Sequence, residues 1–291
     1  RKVIMPNFDG ICSTDIWVID SKEGFDTRFM FYFLADNRII EQATRSSEGT
    51  RMPRARWDYL SKLKFSLPEI TEQKTIAKIL SSLDAKIELN YEMSRSIEEI
   101  GRTFFKNWFI EIDKIPNNWE TKQLDEIAEF LNGLALQKYP AEEGEDYLPV
   151  IKIRELRNGI TTQTDKANLN IPKEYIIKNG DVLFSWSGSL EVEVWTRGKG
   201  ALNQHLFKVS SEEYPKWFYY FWTKNYLPEF RKIAKGKATT MGHIQRHHLS
   251  QSQVIVPDKP ALEKMNKIMV PLLDKIILHN IQSNNLSQIR D

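Results

Sequence analysis

Two basic loops carry the side chains best suited to chemistry in this chain. The first, SSEGTRMPRARWDYL at residues 46–60, groups three arginines before an aromatic residue; the second is KGKATTMGHIQRHHL at residues 235–249. Glycine, threonine, methionine and leucine occupy matching places in both loops. Arginine pairs bidentately with phosphates or with guanine edges, and Thr, Gln and Asn side chains bind base edges or the backbone. The pattern fits a catalytic loop, a binding loop or a polar turn. Its repetition indicates that the two loops are copies of one structure with the same role.

Other motifs do not support catalysis. SWSGS at residues 185–189 lacks the glycine that precedes the serine of a nucleophile elbow, so a turn at the end of a strand fits it better. HIQRHH at residues 243–248 lacks the helical i, i+4 ligand spacing and a nearby carboxylate, which favours a solvated or phosphate-facing cluster over a metal site. The sequence has no phosphate-binding loop and no dinucleotide-binding glycine motif. We therefore predict a binding protein with no catalytic residue and no bound metal.

Composition and charge further limit the class of protein and the kind of partner. The 291 residues suffice for two domains, and one cysteine, Cys12, excludes an internal disulfide scaffold and fits a reducing cytoplasm. There is no apolar run of about 18 residues and no signal-peptide pattern after Arg1, so we expect a cytoplasmic chain that begins inside a longer protein. The net charge is only +2, but residues 28–64 carry +4 and residues 195–249 carry +7. Two basic windows, each containing one of the repeated loops, favour a polyanionic partner over simple solvated faces.

An internal repeat organises the chain. At an offset of 189, Thr50 matches Thr239, Leu83 matches Leu272 and Ser94 matches Ser283, and at an offset of 190 GICSTDIWVI aligns with GALNQHLFKV. Residues 10–100 and 200–289 are therefore two copies of one repeated segment. The second copy opens some 80 residues earlier, near WETKQLDEIAEFLNG, whereas the first has only nine residues in that place. We expect the first copy to lack its opening part.

Apolar periodicity predicts two long helices. Residues 69–110 carry an apolar stripe at three- and four-residue steps, and residues 261–290 carry a similar one. The matching stripes predict antiparallel packing, with polar His279, Asn280 and Ser283 interrupting the second stripe as register-fixing residues do in coiled coils. The alternative is that each helix packs on its own domain. Between the helices, strand-like runs alternate with turns, and PKWFYYFWTKNYLPEFRKIA predicts a buried aromatic helix.

Longer stretches resemble the specificity subunits of type I restriction-modification systems. FSLPEITEQKTIAKILSSLDAKIELN and EEIGRTFFKNWF are similar to the family's central conserved helix. NGDVLFSWSGSLEVEVWTRGKGALNQHLFKV and GKATTMGHIQRHHLSQSQVIVP resemble the body of a target-recognition domain, and GICSTDIWVI with GTRMPRARW resembles the same features of a preceding one. Two departures are the missing opening of the first domain and VPDKPALEKMNKIM, which replaces the Glu-Gln-Lys signature found at residues 72–74 of the first helix.

The resemblance implies a non-catalytic subunit. Its two target-recognition domains would read the halves of a split site on double-stranded DNA, and its two antiparallel helices would set their spacing. It would recruit two modification subunits that methylate adenine with S-adenosylmethionine, and in many systems restriction subunits that require ATP and Mg²⁺. No cofactor is expected on this chain itself.

The expected fold class is α+β, with two mixed α/β target-recognition domains, the first partial, separated by two long antiparallel coiled-coil-like helices. In chain order, the predicted segments are the end of the first target-recognition domain (1–66), the first long helix (67–113), the second target-recognition domain (114–256) and the second long helix (257–291).

The candidate DNA-contacting residues come from the two loops and from polar positions of the neighbouring strand-rich segments. They are Arg45, Arg51, Arg54, Arg56, Lys152, Arg154, Ser187, Arg197, Lys235, Lys237, Thr239, Thr240, His243, Gln245 and Arg246. The alternative function is a non-enzymatic scaffold whose paired helices and basic loops bind an acidic protein. The salt dependence of binding distinguishes these two functions, because counterion release makes the affinity for DNA fall steeply as salt is added. A stand-alone nuclease is disfavoured, since the sequence shows no metal-binding group of carboxylates.

Overall fold

The chain forms two compact units. The structure, a computed structural model, describes residues 3–47, 54–236 and 242–291. The first unit comprises Arg1–Leu89 with Asn285–Asp291, and the second comprises Asn90–Asn284. Among the described residues, no helix is long and apolar enough to cross a membrane.

The first unit is helical in its described part. It contains α1 (Thr27–Ala35), α2 (Asn37–Arg45), α3 (Trp57–Leu60) and the beginning of α4 (Ile70–Phe109). Asp26 begins α1 by accepting a hydrogen bond from the Phe29 N–H (2.9 Å), and Asp36 begins α2 in the same way with the Arg38 N–H (2.8 Å). Because Asp36 ends α1 and caps α2, the first copy has two short helices where the second copy has one long one.

The second unit combines three small sheets with helices. β1 (Glu120–Gln123) pairs antiparallel with β10 (Gln253–Val256). One antiparallel sheet has the order β2 (Glu129–Asn132), β9 (Leu206–Ser210), β6 (Val182–Ser185) and β7 (Val192–Val194). The other has the order β4 (Lys166–Ala167), β3 (Leu148–Ile151), β8 (Gly200–Leu202) and β5 (Ile176–Ile177), with β3 and β8 parallel. The helices are α5 (Leu124–Ile127), α6 (Ile153–Asn158), α7 (Lys216–Gly236), α8 (Arg246–Ser250) and α9 (Lys259–Arg290), and 3-10 turns cover Leu136–Lys138 and Lys173–Tyr175.

The predicted α+β class and both long helices are confirmed. The periodicity located α4 within one residue of each end, and α9 begins two residues before its predicted start. Within the second unit the two helices are antiparallel: Tyr91 lines one cleft together with Asn284, whereas Gly101, further along α4, lies beside Met269, earlier along α9. Within the first unit, Arg290 near the end of α9 donates to Asp84 (2.7 Å).

The first copy lacks the strands of the second copy at residues 10–19. Residues 10–19 align with β8 and β9 in the repeat, yet they form no strand in the described structure, and Ile11 and Val18 are exposed. In the second unit, β8 pairs with β3 and β5, and β9 pairs with β2 and β6. The described first unit contains no counterpart of those four neighbours. A strand needs partners for its N–H and C=O groups, so the aligned residues form no strand here.

The core of the second unit is built on α7, where aromatic residues occur on every face. Phe105 of α4 packs edge-on against Trp222 of α7, with ring centroids 5.0 Å apart, and Phe109 contacts Phe218 at 5.7 Å. Gly101 permits this close approach, because a Cβ atom there would lie 2.9 Å from the ring of Phe221. The end of α4 is therefore part of the core of the second unit.

We predict that Phe105→Ala lowers the free energy of unfolding of the full chain by about 3–5 kcal/mol, the usual result of emptying a buried aromatic site. Phe105 is 1% exposed. Ile100→Ala on the exposed face of the same helix is the matched control, and it should change stability by less than about 1 kcal/mol. Denaturant unfolding followed by tryptophan fluorescence measures both, and equal effects would contradict the role assigned to Phe105.

Candidate nucleic-acid interface

The second repeated loop docks on the turn between β6 and β7. The Gly188 N–H donates to the Gly242 carbonyl (2.8 Å), and the Ile244 N–H donates to the Trp186 carbonyl (3.0 Å). A side chain at Gly242 has no room, because a Cβ atom would lie 2.3 Å from the Ala234 carbonyl oxygen of α7. Gly242 and Ile244, in the described part of the loop, are thus held between the turn and the end of α7.

Trp186 is the centre of this junction. Its indole N–H donates to the Asn132 side-chain oxygen (2.9 Å) and to the Gln204 carbonyl (3.2 Å). Its ring lies 5.8 Å from the ring of His205 and 6.3 Å from that of His243. Ser187, one of the predicted contact residues, is buried and hydrogen-bonds His205 Nδ1 (3.0 Å). The predicted residues Ser187 and His243 therefore both lie beside Trp186.

The start of α8 presents two further predicted residues. The Arg246 guanidinium donates to the Phe130 carbonyl (3.0 Å) and lies over the Phe207 ring, 5.5 Å from its centroid. These contacts fix the orientation of an exposed cation. Gln245 is also exposed, and its backbone N–H donates to His248 Nδ1 (2.9 Å).

A basic cleft adjoins the turn. Arg157, Arg231 and Lys235 line a cavity of about 380 Å³ together with Gly188 and Ser189. Arg231 is engaged with the Leu190 carbonyl and the Glu191 carboxylate, both at 2.9 Å. Among the described residues, Arg157, Lys235 and Arg246 form no ion pair, so their positive charge is not compensated by a neighbouring carboxylate.

The predicted residues around α6 are engaged within the protein. Lys152 pairs with Asp165, and this contact holds the pKa of the Asp165 carboxyl below its ordinary value. Arg154 pairs with Glu155 (2.7 Å). The Arg197 guanidinium donates to the Leu156 carbonyl (3.3 Å) and lies 5.8 Å from the Trp195 ring centroid, so it holds the end of α6 in place.

In the described part of the first unit, three predicted arginines also have acidic partners. Arg54 pairs with Asp15 (2.8 Å), Arg56 with Asp58 (2.5 Å) and Arg45 with Glu41 (3.8 Å). The hydrogen bonds from Arg56 hold the pKa of Asp58 below its ordinary value. Four further predicted residues, Arg51, Lys237, Thr239 and Thr240, lie outside the described residues.

One pair of equivalent positions is in contact in both units. Trp17 packs edge-on against Trp57 at 5.4 Å in the first unit, and the repeat equivalents of these residues are Phe207 and Arg246, which stack in the second. Asp15 and Arg54 form an ion pair, and their equivalents, His205 and His243, flank Trp186. The two copies therefore share one contact between the loop and the strand-like segment, made by different side chains.

Sequence reasoning did not single out Trp186, His205, Arg157 or Arg231. Trp186 had a signal, because it lies inside the SWSGS turn at a strand end. The two arginines come from α6 and α7, and only the tertiary structure brings them to the loop. Among the described residues, no group of three or more His, Cys, Asp or Glu side chains is placed to hold a metal ion.

Comparison with known proteins places these features in a family. The model for the type I restriction modification DNA specificity domain matches residues 2–99 and 116–288. The MjaIX specificity subunit of Methanocaldococcus jannaschii is 26% identical over 295 residues, a match that covers 93% of this chain and 68% of that protein. The HindI specificity subunit of Haemophilus influenzae is 21% identical over 363 residues, which covers 97% of this chain and 79% of that protein.

Among solved structures, the S subunit of a type I restriction-modification system from M. genitalium has the same fold. The TM-score is 0.53 at 18% sequence identity, and the match covers 92% of this chain and 71% of that one.

We predict that Trp186→Phe loosens the docked loop. Phenylalanine keeps the ring contacts but removes the donor to Asn132 and Gln204, a loss worth about 1–1.5 kcal/mol. Amide hydrogen exchange at Ile244 should become about tenfold faster, because its N–H bonds the Trp186 carbonyl. Trp119→Phe, outside this junction, is the control and should leave that amide unchanged. Unaltered exchange at Ile244 in Trp186→Phe would show that the indole N–H does not hold the loop.

Proposed function

Since the chain belongs to the type I restriction-modification DNA specificity domain family, we propose that it supplies the DNA sequence specificity of such a complex and performs no catalysis itself. Methylation with S-adenosylmethionine, and restriction with ATP and Mg²⁺ where it occurs, would then be carried out by partner subunits. The observation that carries the proposal is the docked loop of the second unit, which holds exposed polar and cationic side chains on a fixed support.

In this proposal, the second unit binds DNA at the loop and the adjacent turn. Duplex DNA carries about one negative charge per 1.7 Å of helix axis, so uncompensated cations dominate the attraction. Arg157, Lys235 and Arg246 are such cations, and they would contact phosphates or the edge of guanine. Gln245 and His243 would read bases, since both are polar side chains of the docked loop beside those cations.

The repeat supports recognition of a split site. The two loops share one contact at equivalent positions, but Arg54, Arg56 and Trp57 stand where the second copy has His243, Gln245 and Arg246. Different polar groups on the same attachment would select different base pairs. The ion pairs of Arg54 and Arg56 with acidic neighbours imply that these arginines must exchange a carboxylate for DNA when they bind.

The helix pair would provide the docking surface for the modification subunits. Within the second unit, Ile100 of α4 and Ile268 and Leu278 of α9 are 48%, 40% and 46% exposed. Large apolar side chains exposed on a helix pair are suited to a protein partner, because a partner surface removes them from water.

We predict a contrast between two variants of the second unit. Lys235→Ala should weaken binding to all DNA sequences alike and reduce the salt slope by about 1, as the loss of one phosphate contact does. Gln245→Ala should remove about 1–3 kcal/mol of discrimination at one half-site and leave the other half-site unchanged. Binding or methylation on a library randomised at both half-sites measures both effects.

Lys267→Ala, an exposed lysine on α9, is the control for Lys235→Ala and should leave the salt slope unchanged. A uniform loss of affinity in Gln245→Ala would make that residue a backbone contact. Binding that is insensitive to DNA sequence and to salt would reject the proposed function in favour of a protein-interaction scaffold.

We also predict that Ile100→Glu reduces co-purification of the modification subunit by at least about tenfold, because it places a charge in an apolar interface. The exposed position should tolerate the change, so the thermal midpoint of the isolated chain should stay within about 2 °C of the parent. Glu99→Gln, the adjacent exposed residue, is the matched control. Undiminished recovery of the modification subunit with Ile100→Glu would exclude this face of α4 from the interface.

A further inference from the structure

The imidazole of His205 is held in one orientation beside the docked loop. Its Nδ1 hydrogen-bonds the Ser187 hydroxyl (3.0 Å), and its ring centroid lies 5.8 Å from that of Trp186. Its backbone N–H donates to the Asn203 side-chain oxygen (3.3 Å). One ring nitrogen and the backbone N–H of His205 are therefore engaged within the protein, which leaves Nε2 as the remaining polar atom of the side chain.

His205 belongs to the same group of side chains as Arg246. The Trp186 ring that packs beside His205 also lies 6.0 Å from the ring of Phe207. The Arg246 guanidinium lies over that same Phe207 ring, 5.5 Å from its centroid. A polar atom presented by His205 is therefore part of the surface on which Arg246 is exposed.

The burial of Ser187 decides which atom donates in its hydrogen bond with His205. Ser187 is 3% exposed, and among the described residues its hydroxyl has no partner other than His205. If His205 Nδ1 donated, the Ser187 hydroxyl hydrogen would be buried with no acceptor in that part of the chain, and an unsatisfied buried donor is destabilising. The Ser187 hydroxyl therefore donates to Nδ1. A neutral imidazole that accepts at Nδ1 carries its hydrogen on Nε2.

The Nε2–H group is the accessible end of the His205 side chain. Within the described ranges Nε2 forms no hydrogen bond, and it does not belong to the buried polar atoms that lack a partner. The residue as a whole is only partly buried. His205 thus presents a hydrogen-bond donor to solvent on a ring whose orientation is fixed by Ser187 and Trp186.

We propose that His205 reads one base of the half-site bound by the second unit, as a hydrogen-bond donor through Nε2, with Ser187 as its positioning residue. The assignment rests on the proposed function, since it adds a specificity-determining side chain to the same DNA surface. In the major groove, guanine presents the acceptors N7 and O6, whereas cytosine presents the N4 amino donor. A donor held in one orientation therefore selects guanine and rejects cytosine at the position it contacts.

The first test determines the tautomer of His205 in the full chain without DNA. Nitrogen NMR of labelled histidines, at about pH 8 and thus above the range in which histidine ordinarily titrates, should show the tautomer protonated on Nε2 in large excess. The signals of His205 are identified by their absence from His205→Asn. In Ser187→Ala the excess should fall about tenfold, the usual effect of losing one hydrogen bond. A parent protonated on Nδ1 would overturn the assignment of His205 as a donor.

The second test separates the two ring nitrogens on DNA. Asparagine at position 205 places a polar group near the position of Nδ1, whereas glutamine places its amide near that of Nε2. His205→Asn should therefore lower the preference for guanine over cytosine about tenfold at one position of the second unit's half-site. His205→Gln, the matched control, should retain most of that preference. Binding of the full chain to a library randomised at this half-site measures both variants.

Ser187→Ala connects the two tests. It should lower the guanine preference at the same position as His205→Asn and leave the other positions unchanged, because it acts only through the orientation of His205. An equal loss of affinity for every sequence in His205→Asn would indicate a phosphate contact and overturn the base reading. An unchanged base preference in His205→Asn would overturn it as well.

Failure of the proposed function gives a different result. Binding by the parent that is insensitive to DNA sequence would reject that function, whereas the tautomer of His205 and its dependence on Ser187 are measured without DNA. A parent that discriminates between sequences, together with a His205→Asn variant that discriminates equally well, would reject the role of His205 alone.

Discussion

The packing of α4 against α7 is the contact on which the second unit depends. Phe105 and Phe109 join a buried aromatic cluster that runs along α7, and Gly101 allows the two helices to approach. Lys224 of α7 reaches Glu98 of α4 in the same contact. Burial alone lowers the pKa of Lys224, but nearby Tyr220, Glu193 and Glu98 raise it above the ordinary value, so this cation is held charged inside the structure.

α7 also connects the core of the second unit to the candidate interface. The end of α7 supplies the Ala234 carbonyl that confines Gly242 and the Arg231 guanidinium that binds the Leu190 carbonyl of the turn. A displacement of the end of α7 would therefore shift both supports of the loop. The position of the loop therefore depends on the packing of α7 as well as on the sheets.

Sequence reasoning succeeded where the signal is local. The apolar period of residues 69–110 located α4, and the aromatic run at residues 215–234 located α7, because burial of one face or of all faces leaves a pattern in the chain itself. Residues 10–19 carry the same pattern as β8 and β9 but form no strand, since a strand is completed by neighbours that are distant in sequence. The same distinction applies to charge: Arg197 and Lys152 were predicted by residue type, whereas their engagement with α6 and with Asp165 depends on tertiary structure.

The two copies of the loop show how packing and recognition can be separated. Trp17 with Trp57 and Phe207 with Arg246 make the same contact with different chemistry, so the attachment constrains the geometry of a pair and tolerates the exchange of its members. Arg246 takes part in both tasks, since its stacking on Phe207 attaches the loop while its charge stays exposed. Gln245, one residue earlier, is anchored through its backbone and leaves its side chain exposed. A recognition surface built in this way can change its base preference at backbone-anchored positions without disturbing the support, whereas a change at a stacked position alters both at once.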